Sequence, residues 1–171
     1  MTVGGLMENV EEYILGYLKI DRNSTDGKIP IVEGVGVGGR FMISPVKKIT
    51  KAGEDQDGAY YDVDPARDED VFSISEDYLY GYLVEMLQKY LDPELQKFRM
   101  WNGCSDDQFD WYSNNIYSCV SIRAMIDEIR DYIKNKDLNI VLADFYSRLC
   151  ERLIVMMDQF PHYALIVIEG P

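Results

Sequence analysis

Histidine occurs once in the 171 residues and cysteine three times. That scarcity excludes a good deal. A Ser-His-Asp or Cys-His arrangement would have to use His162, which follows Pro161 and sits in no nucleophile context. No G-x-S-x-G occurs. Cys104, Cys119 and Cys150 form no C-x-x-C pair, and no histidines stand at metal spacing beside them, so a zinc site is not expected. An odd number of scattered thiols is the usage of a reducing compartment, and the chain is expected to be cytoplasmic. A bilayer-spanning helix needs about 20 apolar residues. The longest apolar runs, Leu153–Met157 and Tyr163–Ile168, fall far short. The opening residues lack the charged-then-apolar pattern of a secretory leader.

Basic residues are also scarce: 17 Lys and Arg stand against 30 Asp and Glu, a formal charge of −13. Phosphate backbones and anionic lipid surfaces repel such a chain, so neither nucleic acid nor membrane is an expected partner. A basic protein surface is. Net negative charge also keeps any protein soluble, and that alone accounts for many acidic sequences.

What is present is the composition of a globular protein, 47% hydrophobic and 12% aromatic. The length fits a single domain over 1–171 that can bury a sizeable core without crosslinks. Apolar residues recur at helical spacing over about Leu6–Lys19, Leu79–Tyr90, Ser118–Asn135 and Leu138–Gln159. Ser75 is placed to cap the second of these, and Asp92-Pro93 to start a further, shorter helix. Ile29–Val32 and Phe41–Ile43 read as short strands around the Gly-rich stretch 34–39, forming a hairpin. Tyr163–Ile168 reads as a buried strand, and Lys51–Asp70 as a long surface loop. The expected fold class is therefore α+β: mainly a helical bundle of about five helices, with a small sheet from the Gly-rich hairpin and the C-terminal strand.

Two motifs invite chemistry and fail on context. Gly34–Gly39 matches G-x-G-x-x-G, but the residues after it, Arg40 to Pro45, open no helix that could hold a pyrophosphate. Counted from Asp62, an EF-hand loop would place Arg67 where glycine belongs and Ser73 where glutamate belongs. No cofactor or metal is expected.

The charge itself is concentrated. Between Glu54 and Asp77 lie ten acids and a single base, Arg67, punctuated by Tyr60, Tyr61 and Phe72. Clustered charge steers association, and exposed aromatics supply contact energy. Trp101 to Tyr117 is a second polar-aromatic stretch, whose rings either anchor a partner or fill the core. The candidate partner-binding residues are Asp57, Tyr60, Tyr61, Asp62, Asp64, Asp68, Glu69, Asp70, Trp101 and Trp111. Small, acidic, single-domain and without catalytic motifs, the chain resembles bacterial immunity proteins in general character, though no stretch carries a family motif. That resemblance implies neutralisation of a basic toxin or nuclease. The expected function is a non-enzymatic module binding a basic protein. The alternatives are a structural or regulatory subunit forming a homo-oligomer, and a small ligand-binding domain or enzyme.

Overall fold

The computed structural model describes residues 30–34, 39–65, 71–99, 105–161 and 163–171. The helix expected over Leu6–Lys19 lies outside them, as do Asp68, Glu69, Asp70, Trp101, Cys104 and His162.

The expected helical bundle with a small sheet is not what forms. Six strands make an antiparallel sheet: β1 Ile31–Glu33, β2 Arg40–Asp55, β3 Gly58–Pro65, β4 Phe72–Ser75, β5 Asn114–Ser118 and β6 Leu165–Glu169. Among the described residues the helices are α1 Tyr82–Lys89, α2 Cys119–Asn135 and α3 Ile140–Gln159, with 3-10 helices at Glu76–Tyr78 and Pro93–Phe98. The spatial order is β1-β4-β2-β6-β5, with β3 paired to β2. β1 and β2 therefore do not form the expected hairpin, because β4 lies between them and pairs with both.

Alternation explains how the sheet acquires two faces. Phe41, Ile43, Phe72, Ile74, Tyr117, Ile166 and Ile168 point to one side and join the main core with the apolar faces of α1, α2 and α3. Val46, Ile116 and Val167 point to the other, where Leu95 and Phe98 of the second 3-10 helix, with Ile49 and Val63, pack on them.

Local chemistry sets the helix ends. Gly81 has φ of +82° and closes the tight turn before α1, so the Leu79–Tyr90 pattern is split there instead of running on as one helix. Ser118 caps α2, its Oγ accepting from the Ser121 amide at 3.1 Å, and Asn139 caps α3 in the same manner. Asp92 braces the start of α2, accepting from the Ser118 amide at 3.0 Å and from Ser121 Oγ at 2.9 Å. Gln96, wholly buried, covers the outer edge of β5: its amide donates to the Ile116 carbonyl at 2.7 Å and accepts from the Ile116 N–H at 3.1 Å. The side chain does for that residue what a seventh strand would do.

Three buried tyrosines give the fold an alkaline limit. Burial pushes the Tyr78 hydroxyl up to about 12, with Asp77 adding to the shift. Tyr82 and Tyr117 are raised by burial as well, and Tyr117 donates to the Leu87 carbonyl at 2.7 Å. A group that holds its proton more tightly in the folded than in the unfolded chain contributes stability below its ordinary value. That stability is lost as the pH climbs through the folded value. The tyrosines are expected to make the denaturation midpoint fall steeply between pH 10 and 12, with the buried Cys150 thiol, raised to about 11, starting the decline nearer pH 9. Urea titrations across that range check it, and Tyr78→Phe should flatten part of the decline.

Candidate interaction surface

Beyond Pro45, the last β2 residue paired with β6, the strand continues to Asp55 with β3 as its hydrogen-bonded partner. Most of what reads in the sequence as a long loop is thus a two-stranded arm. A glycine-bearing turn closes it, with Gly58 at φ of +120°. Its base is held down. Tyr61 meets Phe98 edge-on at 4.9 Å, and Ile49 and Val63, opposite each other across the ladder, join the minor core. Its far end is not, since nearly every residue from Glu54 to Tyr60 is exposed.

Period-two alternation sorts the candidate residues of β3. Tyr61 and Val63 turn inward and are half-buried, while Tyr60, Asp62 and Asp64 lie on the outward face. Tyr60 is 49% exposed although its ring is positioned: its hydroxyl end lies across Gly53 of β2, in the space a Cβ there would take. Glycine opposite an aromatic ring across a ladder is a known way of covering the bare backbone.

Strand pairing also redistributes charge in a way the linear sequence hides. Lys47, Lys48 and Lys51 sit on the same arm as Glu54, Asp55, Asp57, Asp62 and Asp64. Lys51 pairs with Glu54 at 2.6 Å, and Lys48 is in register with Asp64. Asp62 faces Thr50 and has no ion-pair partner among the described residues. The arm is therefore not uniformly acidic. The ion pair on the arm is Lys51–Glu54, which leaves carboxylates without an ion pair at the turn and along the outward face of β3.

Trp111 belongs elsewhere. It is half-buried, edge-on to Phe41 at 5.5 Å and to Phe109 at 5.9 Å, and stacked on Tyr80 at 5.2 Å. Most of its ring closes the core, leaving Tyr80 (45% exposed) and Tyr112 (80%) outside it. Phe41 is at the opposite end of β2 from Gly53, roughly 40 Å away along the strand at about 3.3 Å per residue. Trp111 and the far end of the arm do not converge into one surface.

Other features carry less chemistry. A groove of about 640 Å³ lies between the start of α2 and the end of α3, lined by Cys119, Val120, Met157, Tyr163 and Leu165 among others. The Arg123–Asp158 pair at 3.3 Å is part of its wall. Burial raises the Cys119 thiol, and pushes Cys150 up to about 11, so neither is activated as a nucleophile. No group of three or more His, Cys, Asp or Glu that could hold a metal lies among the described residues. None of the helices among them is long and apolar enough to cross a membrane.

No protein-family model, curated protein or solved structure matches the chain. The arm must be read from its own residues. Sequence reasoning picked out Tyr60, Asp62 and Asp64 on composition, but missed Gly53, which positions the ring, and Phe98, which fixes the base. A glycine opposite a tyrosine is a signal only once the register is known.

Proposed function

We propose that this protein is a non-enzymatic binding module that docks a basic protein surface through the outward face and turn of the β2–β3 arm. The observation that carries the reading is the arm itself. A two-stranded ribbon is marginal in water by itself. Here one extends past the sheet, exposes its far end, and presents a positioned tyrosine beside Asp55, Asp57 and Asp62. Exposed carboxylates with no cationic partner among the described residues steer a cationic protein toward the arm, Asp55 being held in place by the Asp57 N–H that donates to its Oδ1 at 2.8 Å, and Tyr60 supplies contact area once the partner arrives. A basic toxin or nuclease is a partner of that chemistry.

The test is capture from host lysate on immobilised wild-type protein and, in parallel, on a variant carrying Asp55→Asn, Asp57→Asn and Asp62→Asn. A stoichiometric basic protein that elutes as salt rises, and is held at least tenfold less well by the variant, is the expected outcome. Equal retention by both would remove the arm from the interaction. These substitutions are on exposed residues and should leave stability within about 0.5 kcal/mol.

A further inference from the structure

We infer that the outward face of β3 is a receptor for an arginine side chain, formed by the ring of Tyr60 and the carboxylate of Asp62. The inference rests on the arm being a docking surface for a basic protein, and names the group that surface recognises.

Three features of the geometry converge on it. Tyr60 lies across Gly53, so one side of the ring is held against backbone while the residue stays about half exposed to solvent. A longer side chain at position 53 would push the ring off the ladder and leave it free to rotate. Asp62 is the next residue on the same face, about 7 Å along the strand. Its directly opposite neighbour is Thr50, and neither Lys48, diagonal to it, nor any other described base is within ion-pair distance, so its carboxylate is open to an incoming cation. An aromatic face and a carboxylate at that separation suit a guanidinium. The flat cation stacks on the ring while its edge N–H groups reach the carboxylate. A lysine ammonium is a compact, strongly hydrated point charge and satisfies one of the two at a time. Asp64, the next acid along, is in register with Lys48 and contributes less.

The probes are N-acetylated octa-arginine and octa-lysine peptides of equal charge, titrated into the full chain by calorimetry and by NMR of the tyrosine ring signals. The expected result is a preference for arginine of about threefold to tenfold, accompanied by a shift of the Tyr60 ring resonances. Tyr60→Leu and Asp62→Asn should each abolish the preference. Tyr60→Phe, which keeps the ring, should preserve it. Glu94→Gln removes one exposed carboxylate from the second 3-10 helix and should change neither peptide's binding by more than twofold. Equal binding of the two peptides, untouched by Tyr60→Leu, overturns the arginine site while leaving a generally acidic docking arm intact. Failure of both peptides to bind overturns the site and the reading beneath it.

Discussion

Replacing Gly170 with alanine is expected to destabilise the protein by about 3 kcal/mol or more, among the largest effects of any single methyl group in this chain. The reason is not backbone freedom, since Gly170 does not have the positive φ that favours glycine. It is close approach. The Gly170 N–H donates to the Ser113 carbonyl at 3.1 Å, which draws the end of β6 against the loop before β5. A Cβ at 170 would collide with the Trp111 backbone carbonyl, and the Trp111 carbonyl carbon would be 2.8 Å from it. Backbone cannot rotate aside as a side-chain tip can. Either the Ser113 hydrogen bond breaks or the loop moves, and with it the Trp111 ring that packs on Phe41 and Phe109. In a domain of this size the melting temperature should fall by roughly 6–12 °C. Thermal denaturation followed by tryptophan fluorescence reads both the loss and its location. A fall of less than about 2 °C would show that the loop is slack there.

Asn115→Leu should be comparably damaging, by roughly 3–5 kcal/mol. Asn115 is wholly buried at the sheet edge and joins three segments of chain. Its Oδ1 accepts from the Asp110 amide at 2.7 Å and from the Arg99 guanidinium at 2.9 Å. Its Nδ2 donates to the Asp110 carbonyl at 2.8 Å and to the Ile168 carbonyl at 3.2 Å. Leucine matches the volume and removes all of these bonds. Arg99, 4% exposed, would keep the bond from its Nη2 to the Gln108 carbonyl at 2.6 Å and lose the side-chain acceptor that the same nitrogen shares. A buried polar group left without its partner costs about 1–3 kcal/mol, and more when charged. Asn115→Asp is the sharper variant. It keeps the acceptor and turns the donor into a second oxygen facing three carbonyls, those of Asp110, Ser113 and Ile168, so it should also be strongly destabilising at neutral pH. Chemical denaturation of both variants checks this. Wild-type stability in either would mean that the loop from Asp106 to Ser113 is not anchored through Asn115.

Neither position announces itself in the sequence. Gly170 is next to the last residue, and Asn115 is one of several polar residues between two aromatics. Both matter because β5 pairs with β6 in a particular register, Asn115 opposite Ile168 and Asn114 opposite Glu169. Five residues as mixed as Asn-Asn-Ile-Tyr-Ser over Asn114–Ser118 carry no alternation that signals a buried strand.

The helices were a different matter. Ile122, Met125, Ile126 and Ile129 repeat at the helical period, and α2 forms there, whereas Ser75, expected to cap the earlier helix, makes no side-chain capping bond. The stripe from Leu142 to Met156 likewise becomes α3, and the Ile- and Val-rich run near the end becomes β6. These elements are long, or uniformly apolar, and each buries one face whatever its neighbours do. The sheet was underestimated because its other members lack that autonomy. β2 carries lysines and a glycine through Lys47–Gly53, and β3 is acidic at alternate positions, so together they read as a polar loop. Their ladder hydrogen bonds, not their composition, make them strands.

The amino acids alone therefore determined much of the composition of the core, the two long helices and the net acidity of the chain, while the caps at Ser118 and Asn139 came from the structure. Tertiary structure alone decided that β4 separates β1 from β2, that Lys48 stands beside Asp64, that Trp111 closes the core far from the arm, and that Tyr60 rests on Gly53. Helical pattern is a property of residues three and four apart and survives in a linear reading. Strand pairing joins residues tens of positions apart through backbone groups that every amino acid shares, and it becomes visible only when the chain is folded.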